Sequence, residues 1–185
     1  MKKFSLALGA LLLSITPAWA HPGHETASFS SGLTHPVTGF DHLIMLIAFG
    51  ILVACLNVSV KRQVLLIGAA LLSMTSGLLA GKWFGFISGV ELAIAASLFV
   101  VSGAIWQAFS ASQNTLRLAV SLCVGLIFFH GYAHGVEAQG AVSHFGLGML
   151  LSACALMVLG IQFGRAFRSP WLSLGVVSVS ALVVV

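Results

Sequence analysis

The sequence predicts an all-α membrane protein, a six-transmembrane-helix bundle behind a cleavable signal peptide, and three observations carry that expectation. The first is composition: of 185 residues, 59% are hydrophobic and only 6% charged, where a soluble domain carries about 25% charged residues. The second is spacing, because the apolar residues fall into runs near the roughly 20 residues that a bilayer span requires. The third is the N-terminus. Met1-Lys2-Lys3, an apolar stretch too short to span and the small-x-small ending Ala18-Trp19-Ala20 are the three parts of a secretory leader. Residues 1–20 are thus expected to be removed, leaving residues 21–185 as one transmembrane domain.

In chain order, cleavage would make His21 the mature N-terminus. The polar segment His21-Pro22-Gly23-His24-Glu25 has two readings. His21 and His24, with a free amine beside them, can collect metal ions; equally, a short polar terminus is commonly untethered. The expected spans then lie near 36–57, 63–81, 86–109, 115–137, 143–164 and 170–185. The last has only 16 residues and needs local thinning of the bilayer to cross it. Short connections favour antiparallel neighbours packed in sequence.

Charge fixes the expected orientation. With His21 outside, the connections holding Lys61-Arg62, Arg117 and Arg165/Arg168 fall inside, and Lys82 falls outside. That asymmetry obeys the positive-inside rule and agrees with the leader, which in a bacterium directs the mature N-terminus to the periplasmic side of the inner membrane. The basic residues occur singly or in pairs, so the net charge of +4 gives no basis for nucleic-acid binding. Cys55, Cys123 and Cys154, odd in number and in separate apolar runs, read as small packing residues rather than disulfide partners.

Against this background two clusters stand out, because ionisable groups in a bilayer are costly and by default mark a function. His130 and His134 are four apart and Glu137 follows three later, so on a helix all three project from one face. The second cluster is His35-Pro36-Val37-Thr38-Gly39-Phe40-Asp41-His42. If the first span starts near Pro36, a residue tolerated in a first helical turn, His35 and His42 lie two turns apart on one face. Asp41 then serves as a ligand or fixes an imidazole, Thr38 offers a further oxygen, and Gly39 leaves room. Glu91 and His144 open other spans on the same outer side. Imidazole and carboxylate donors suit Ni²⁺, Co²⁺, Zn²⁺, Cu²⁺ or Fe²⁺, and the two clusters are expected to be halves of one outward-facing site. Glycines at four-residue spacing, Gly77/Gly81/Gly85/Gly89, Gly131/Gly135 and Gly160/Gly164, allow close helix approach. Gly131 and Gly135 would admit a neighbour bringing its own ligands.

The pattern His35-x5-Asp41-His42 together with Phe129-His130-Gly131-Tyr132-Ala133-His134-Gly135-Val136-Glu137 resembles the HupE/UreJ family of membrane proteins over essentially the whole mature chain. The resemblance implies uptake of nickel, or cobalt, for hydrogenase, urease or cobalamin production. It implies His35, Asp41, His42, His130, His134 and Glu137 as the functional positions, with Glu91 as an addition. It implies the ion as transported substrate with no cofactor required. Metallochaperones or metalloenzyme maturation proteins are the partners such a role calls for, besides the ion and the lipid bilayer.

The residues alone leave two other classes open. One is a membrane-embedded hydrolase using a bound ion to activate water, although Gly131 stands where a zinc hydrolase carries glutamate after its first histidine. The other is a haem b protein with axial histidines from different helices. No G-x-x-x-x-G-K-[ST] motif occurs, so a transporter of this sequence is a facilitator or secondary carrier unless an ATPase subunit is supplied separately. Ligand affinity order alone would favour copper; the preference for nickel comes from the resemblance. Imidazole must be neutral to bind a metal, so uptake is expected to weaken as pH falls through about 6.5. Initial rates of metal uptake at mildly acid and neutral pH check this, and equal rates count against the histidine site.

Overall fold

Hydrocarbon offers no water to pair with peptide groups, so a chain crossing it must close its hydrogen bonds internally. A computed structural model describes residues 28–138 and 142–184, and these form α-helices joined by short turns. They are α1 (Phe29–Thr38), α2 (Phe40–Cys55), α3 (Val60–Phe84), α4 (Val90–Ser110), α5 (Gln113–Glu137), α6 (Val142–Ala166) and α7 (Leu172–Val184). The expected signal peptide, and His21 and His24 with it, lie outside the described residues.

Helices α3, α4, α5 and α6 have 25, 21, 25 and 25 residues and are long and apolar enough to cross a membrane. At a rise of about 1.5 Å per residue the shortest spans the roughly 30 Å of hydrocarbon. The other two expected spans differ. The first is a pair of helices, α1 and α2, bent by 78° at Gly39. The last, α7, has 13 residues, too few to cross straight. The described residues therefore hold four spans, or five if the bent pair counts as one, in place of the expected six.

The bend has a local cause. Pro36 lies in the last turn of α1 rather than the first turn of a span, so the carbonyl four residues back loses its helical donor. Gly39 is extended (φ −83°, ψ 106°), ending α1 and starting α2. Its N–H still donates to the His35 carbonyl at 3.0 Å and its carbonyl accepts from Leu43 N–H at 2.9 Å, so both peptide groups of Gly39 itself stay paired. The start of α1 is held by a reciprocal cap between Ser28 and Ser31.

Packing does not follow chain order. The most extensive contact of α3 is with α5, and α6 packs on α2 and α1; α4 lies against α5, α2 and α7. The glycines explain the first two pairings. A methyl group at Gly77 or Gly81 would run into the carbonyl oxygens of Phe128 or Tyr132, and one at Gly131 or Gly135 into those of Met74 or Leu78. Backbone therefore rests on backbone between α3 and α5. Gly50 and Gly160 do the same between α2 and α6, and Gly32 and Gly148 between α1 and α6. Gly85 and Gly89, expected to belong to the same packing series, instead have positive φ (68° and 94°) and shape the α3–α4 turn. Tyr132 Oη donates to the Gly85 carbonyl at 2.8 Å and Lys82 Nζ to the Ala138 carbonyl at 2.8 Å, which pins the end of α5 to that turn.

Large apolar side chains cover the outside, as lipid contact requires. Trp83, Phe84 and Phe86 are exposed at the α3–α4 turn and Trp106, Phe167 and Trp171 near the opposite end, the distribution of aromatic belts at two membrane interfaces. All three cysteines are free, Cys55 and Cys123 being buried, as their sequence context predicts. At the end where α6 finishes, Arg165 donates to Gln63 Oε1 at 2.7 Å and Arg168 to Asn57 Oδ1 at 3.3 Å, tying that helix to the α2–α3 connection and the start of α3.

The backbone seam generates a stability test. Gly131→Val is expected to destabilise the protein by about 1–3 kcal/mol or more through overpacking, seen as a lowered Tm and a broadened size-exclusion peak in detergent. Gly103→Ala, where an added methyl group meets no neighbouring atom, is expected to leave both unchanged.

Candidate metal centre

The bent α1–α2 corner and the last two turns of α5 meet at one end of the bundle, and the two sequence clusters meet with them. His42, His130 and His134 are 1–2% exposed, so water does not pair their ring nitrogens. Those that are paired are paired by protein neighbours, and these neighbours fix the tautomers.

His42 sits at the centre. Its Nδ1 is 2.9 Å from Asp41 Oδ1, and its backbone N–H donates to the same oxygen at 2.9 Å. A carboxylate only accepts, so Nδ1 carries the proton and Nε2 is left as a lone pair. That Nε2 lies 2.6 Å from His134 Nε2. On the far side of His134, Nδ1 stands 4.0 Å from Glu137 Oε2. A carboxylate hydrogen-bonded behind His42, with the Nε2 atoms of His42 and His134 converging in front, is the arrangement of a histidine oriented to bind a metal ion. An ion about 2.1 Å from both nitrogens at a right angle would separate them by about 3.0 Å. The rings therefore need to part only slightly to exchange their mutual hydrogen bond for two metal bonds. His35 completes this side, its ring centroid 4.2 Å from that of His134 and 5.7 Å from that of His42. Phe145 of α6 closes over it, 6.1 Å from His35 and 5.9 Å from His134.

His130 lies one turn earlier on α5, its ring 4.6 Å from that of His42. Ser97 of α4 donates to the Ile94 carbonyl at 2.6 Å, and His130 Nε2 is 2.8 Å from the same hydroxyl. With its own hydrogen committed, the hydroxyl accepts from His130 Nε2–H. His130 Nδ1 is then a lone pair, buried and without a hydrogen-bond partner. An unsatisfied buried nitrogen costs about 1–3 kcal/mol. A resident cation would remove that cost.

The convergence thus takes in His35, Asp41, His42, His130 and His134, although the helical spacing expected to produce it is absent. His35 and His42 belong to different helices and meet because the chain turns between them. Glu137 stands at the rim, with its side chain 42% exposed. Glu91, in the first turn of α4, and His144, near the start of α6, are both exposed and belong to neither group of clustered ligand atoms. Thr38 turns its hydroxyl back to the His35 and Thr34 carbonyls. Gly131 and Gly135 face α3 through Met74 and Leu78, so the close approach they permit admits no further ligand. Two residues that sequence reasoning missed are Ser97 and Phe145: serine and phenylalanine are ordinary in apolar helices, and neither carried a signal.

The geometry also bears on the alternatives open at the sequence level. At 2.6 Å the His42 and His134 nitrogens leave no room for a porphyrin between them, since two axial ligands require about twice an Fe–N bond. The residue after His130 faces another helix, so it supplies no general base there.

Asp41→Asn keeps the shape of the pair but replaces a full negative charge. Losing the carboxylate that orients a ligating imidazole typically costs 10- to 100-fold in metal affinity, and a loss of that size in Ni²⁺ or Co²⁺ affinity is expected by isothermal titration of the purified protein. Unchanged affinity would separate Asp41 from the site.

Comparison with known proteins places the chain in a family. A family profile described as HupE / UreJ protein matches residues 9–185. The chain is 28% identical over 171 residues to Protein HupE of Rhizobium leguminosarum bv. viciae, an alignment covering 89% of this chain and 86% of that protein. No solved structure matches the chain. With the match running through both histidine clusters and every described helix, the protein belongs to the HupE/UreJ family of transport-associated membrane proteins.

Proposed function

We propose that this protein is an inner-membrane permease, not an enzyme, that takes up a divalent transition-metal ion, nickel or cobalt, from the outer side and supplies hydrogenase, urease or cobalamin maturation. The observation that carries this reading is the meeting of His35 with the buried His42 and His134, from α1, α2 and α5, in a protein of the HupE/UreJ family. An ion reaching that point exchanges water for imidazole nitrogen, a ligand that suits nickel, cobalt and zinc over magnesium and calcium. Passage requires binding tight enough to admit an ion and loose enough to release it. Mixed imidazole and carboxylate ligation meets that requirement better than a closed thiolate site, and the cysteines take no part in either ligand group. The positive-inside distribution of Lys61, Arg62, Arg117, Arg165 and Arg168 supports a mature N-terminus on the periplasmic side and the site at the outer mouth.

Proteoliposomes test this directly, with nickel, cobalt, zinc and manganese compared as substrates. Saturable nickel or cobalt uptake is expected, with manganese excluded. His130→Ala and Asp41→Ala are each expected to lower uptake to the level of empty vesicles while the protein still inserts. Normal uptake by both variants removes the site; uptake of none of the four ions by the wild type removes the function.

A further inference from the structure

The clustered side chains do not form one ligand shell. They fall into two trios, His35/His42/His134 and Asp41/His42/His130, and within each the ligand atoms lie within 4.8 Å of one another. His42 alone is common to both. We infer that, within the permease reading, the ion is held at two overlapping stations in succession: an outer one of three imidazoles, and an inner one in which the carboxylate of Asp41 and the imidazole of His130 replace His35 and His134.

Several features of the cluster support the division. His42 turns one nitrogen to each trio, Nε2 lying 2.6 Å from His134 Nε2 and Nδ1 2.9 Å from Asp41 Oδ1; an ion at the inner station takes the place of the Nδ1 proton, which moves to Nε2 and there faces the His130 carbonyl oxygen at 3.5 Å. His134 and His130 are one helical turn apart on α5, about 6 Å along its axis. His35, on the outer trio, is partly exposed, whereas His130 on the inner one is 1% exposed. The donor sets differ in kind, the inner trio exchanging a neutral nitrogen for a negative oxygen. The unpartnered Nδ1 of His130 is the strongest single indication, because the outer trio makes no use of it. Two dications sharing one imidazole repel strongly in a medium of low dielectric, so occupancy is one ion at a time and filling one station empties the other.

Ser97 acts here as a positioning residue. By accepting from His130 Nε2 it holds that proton away from the ion and keeps Nδ1 as the coordinating atom.

Cobalt titration of the purified full-length protein in detergent tests the division, read by calorimetric stoichiometry and by the visible d–d spectrum of the bound ion. The wild type is expected to bind one ion. His35→Ala and His130→Gln are each expected to bind one ion, with association constants that add up to that of the wild type because the two stations exclude each other, and with d–d spectra that differ from each other because each leaves a different trio. His42→Ala is expected to bind none. In the His35→Ala background, Ser97→Ala should weaken binding about a further 10-fold and alter the spectrum, and Ser97→Thr should restore both. Where His35→Ala fails to give a monodisperse peak, His35→Gln takes its place.

Two ions on the wild type, identical spectra for the two single-station variants, or loss of all binding in both would overturn the two-station scheme. Those results leave the permease reading to be judged by vesicle uptake. Conversely, the expected binding pattern with no uptake by wild-type vesicles removes the permease reading and leaves the two stations standing.

Discussion

The hydrogen bond from His42 Nδ1 to Asp41 Oδ1, 2.9 Å long, constrains the whole polar end of the bundle. In water a histidine exchanges tautomers freely; buried beside lipid it takes the one that its partners permit. With the proton on Nδ1, Nε2 must meet a donor or a cation, and His134 stands 2.6 Å away ready to be the first or to help hold the second. The pair Ser97–His130 repeats this logic with the ring reversed, since there Nε2 is the protonated atom and Nδ1 the lone pair. Two opposite tautomers fixed around a shared neighbour produce a cluster of lone pairs with few protons between them, and that is an environment suited to a cation.

The fold serves this cluster by bringing backbones unusually close. A histidine on α5 can touch one on α2 only if the helices around them do not hold each other apart. Glycines at Gly77, Gly81, Gly131 and Gly135 bring α3 onto α5, while Gly50 and Gly160 bring α6 onto α2. Gly39 contributes differently. A methyl group there would lie 3.3 Å from Asp41 Oδ1 and 3.4 Å from His42 Nδ1, crowding the hydrogen bond on which the rest depends. Phe145 then lies against the imidazoles of His35 and His134 with an aromatic ring in place of solvent.

Sequence reasoning reached much of this because membrane physics constrains composition so tightly. The long spans α3 to α6 were legible as apolar runs of sufficient length, and the two histidine clusters as groups too costly to keep without use. The bent first segment was not legible, because Pro36 reads equally well at either end of a helix and only neighbouring elements decide which. The seven-residue spacing of His35 and His42 therefore suggested the right convergence through a geometry that the corner at Gly39 replaces. Glycine spacing announced close packing, but not that Gly131 and Gly135 turn toward α3 and away from the ligands. Exposure separated Glu91 and His144 from the cluster, which helix position alone does not do. Ser97 was invisible, since one hydroxyl in an apolar helix usually bonds its own backbone and gives no hint of a second partner.

The glycine seams have a mechanical consequence. Where one helix rests on another through main-chain atoms, axial sliding drives Cα atoms into carbonyl oxygens, so those pairs behave as welded plates. Three of the packed pairs, α3 with α5, α2 with α6 and α1 with α6, are joined in this way. Helix α4 is not: its Gly103 meets no neighbour, and it touches the bundle through side chains such as Ile94, Leu98 and Ile105, which can change rotamer. Relative displacement is therefore less resisted at α4 than along those seams, and the serine it carries against His130 makes that helix the one whose travel the buried imidazole would feel first.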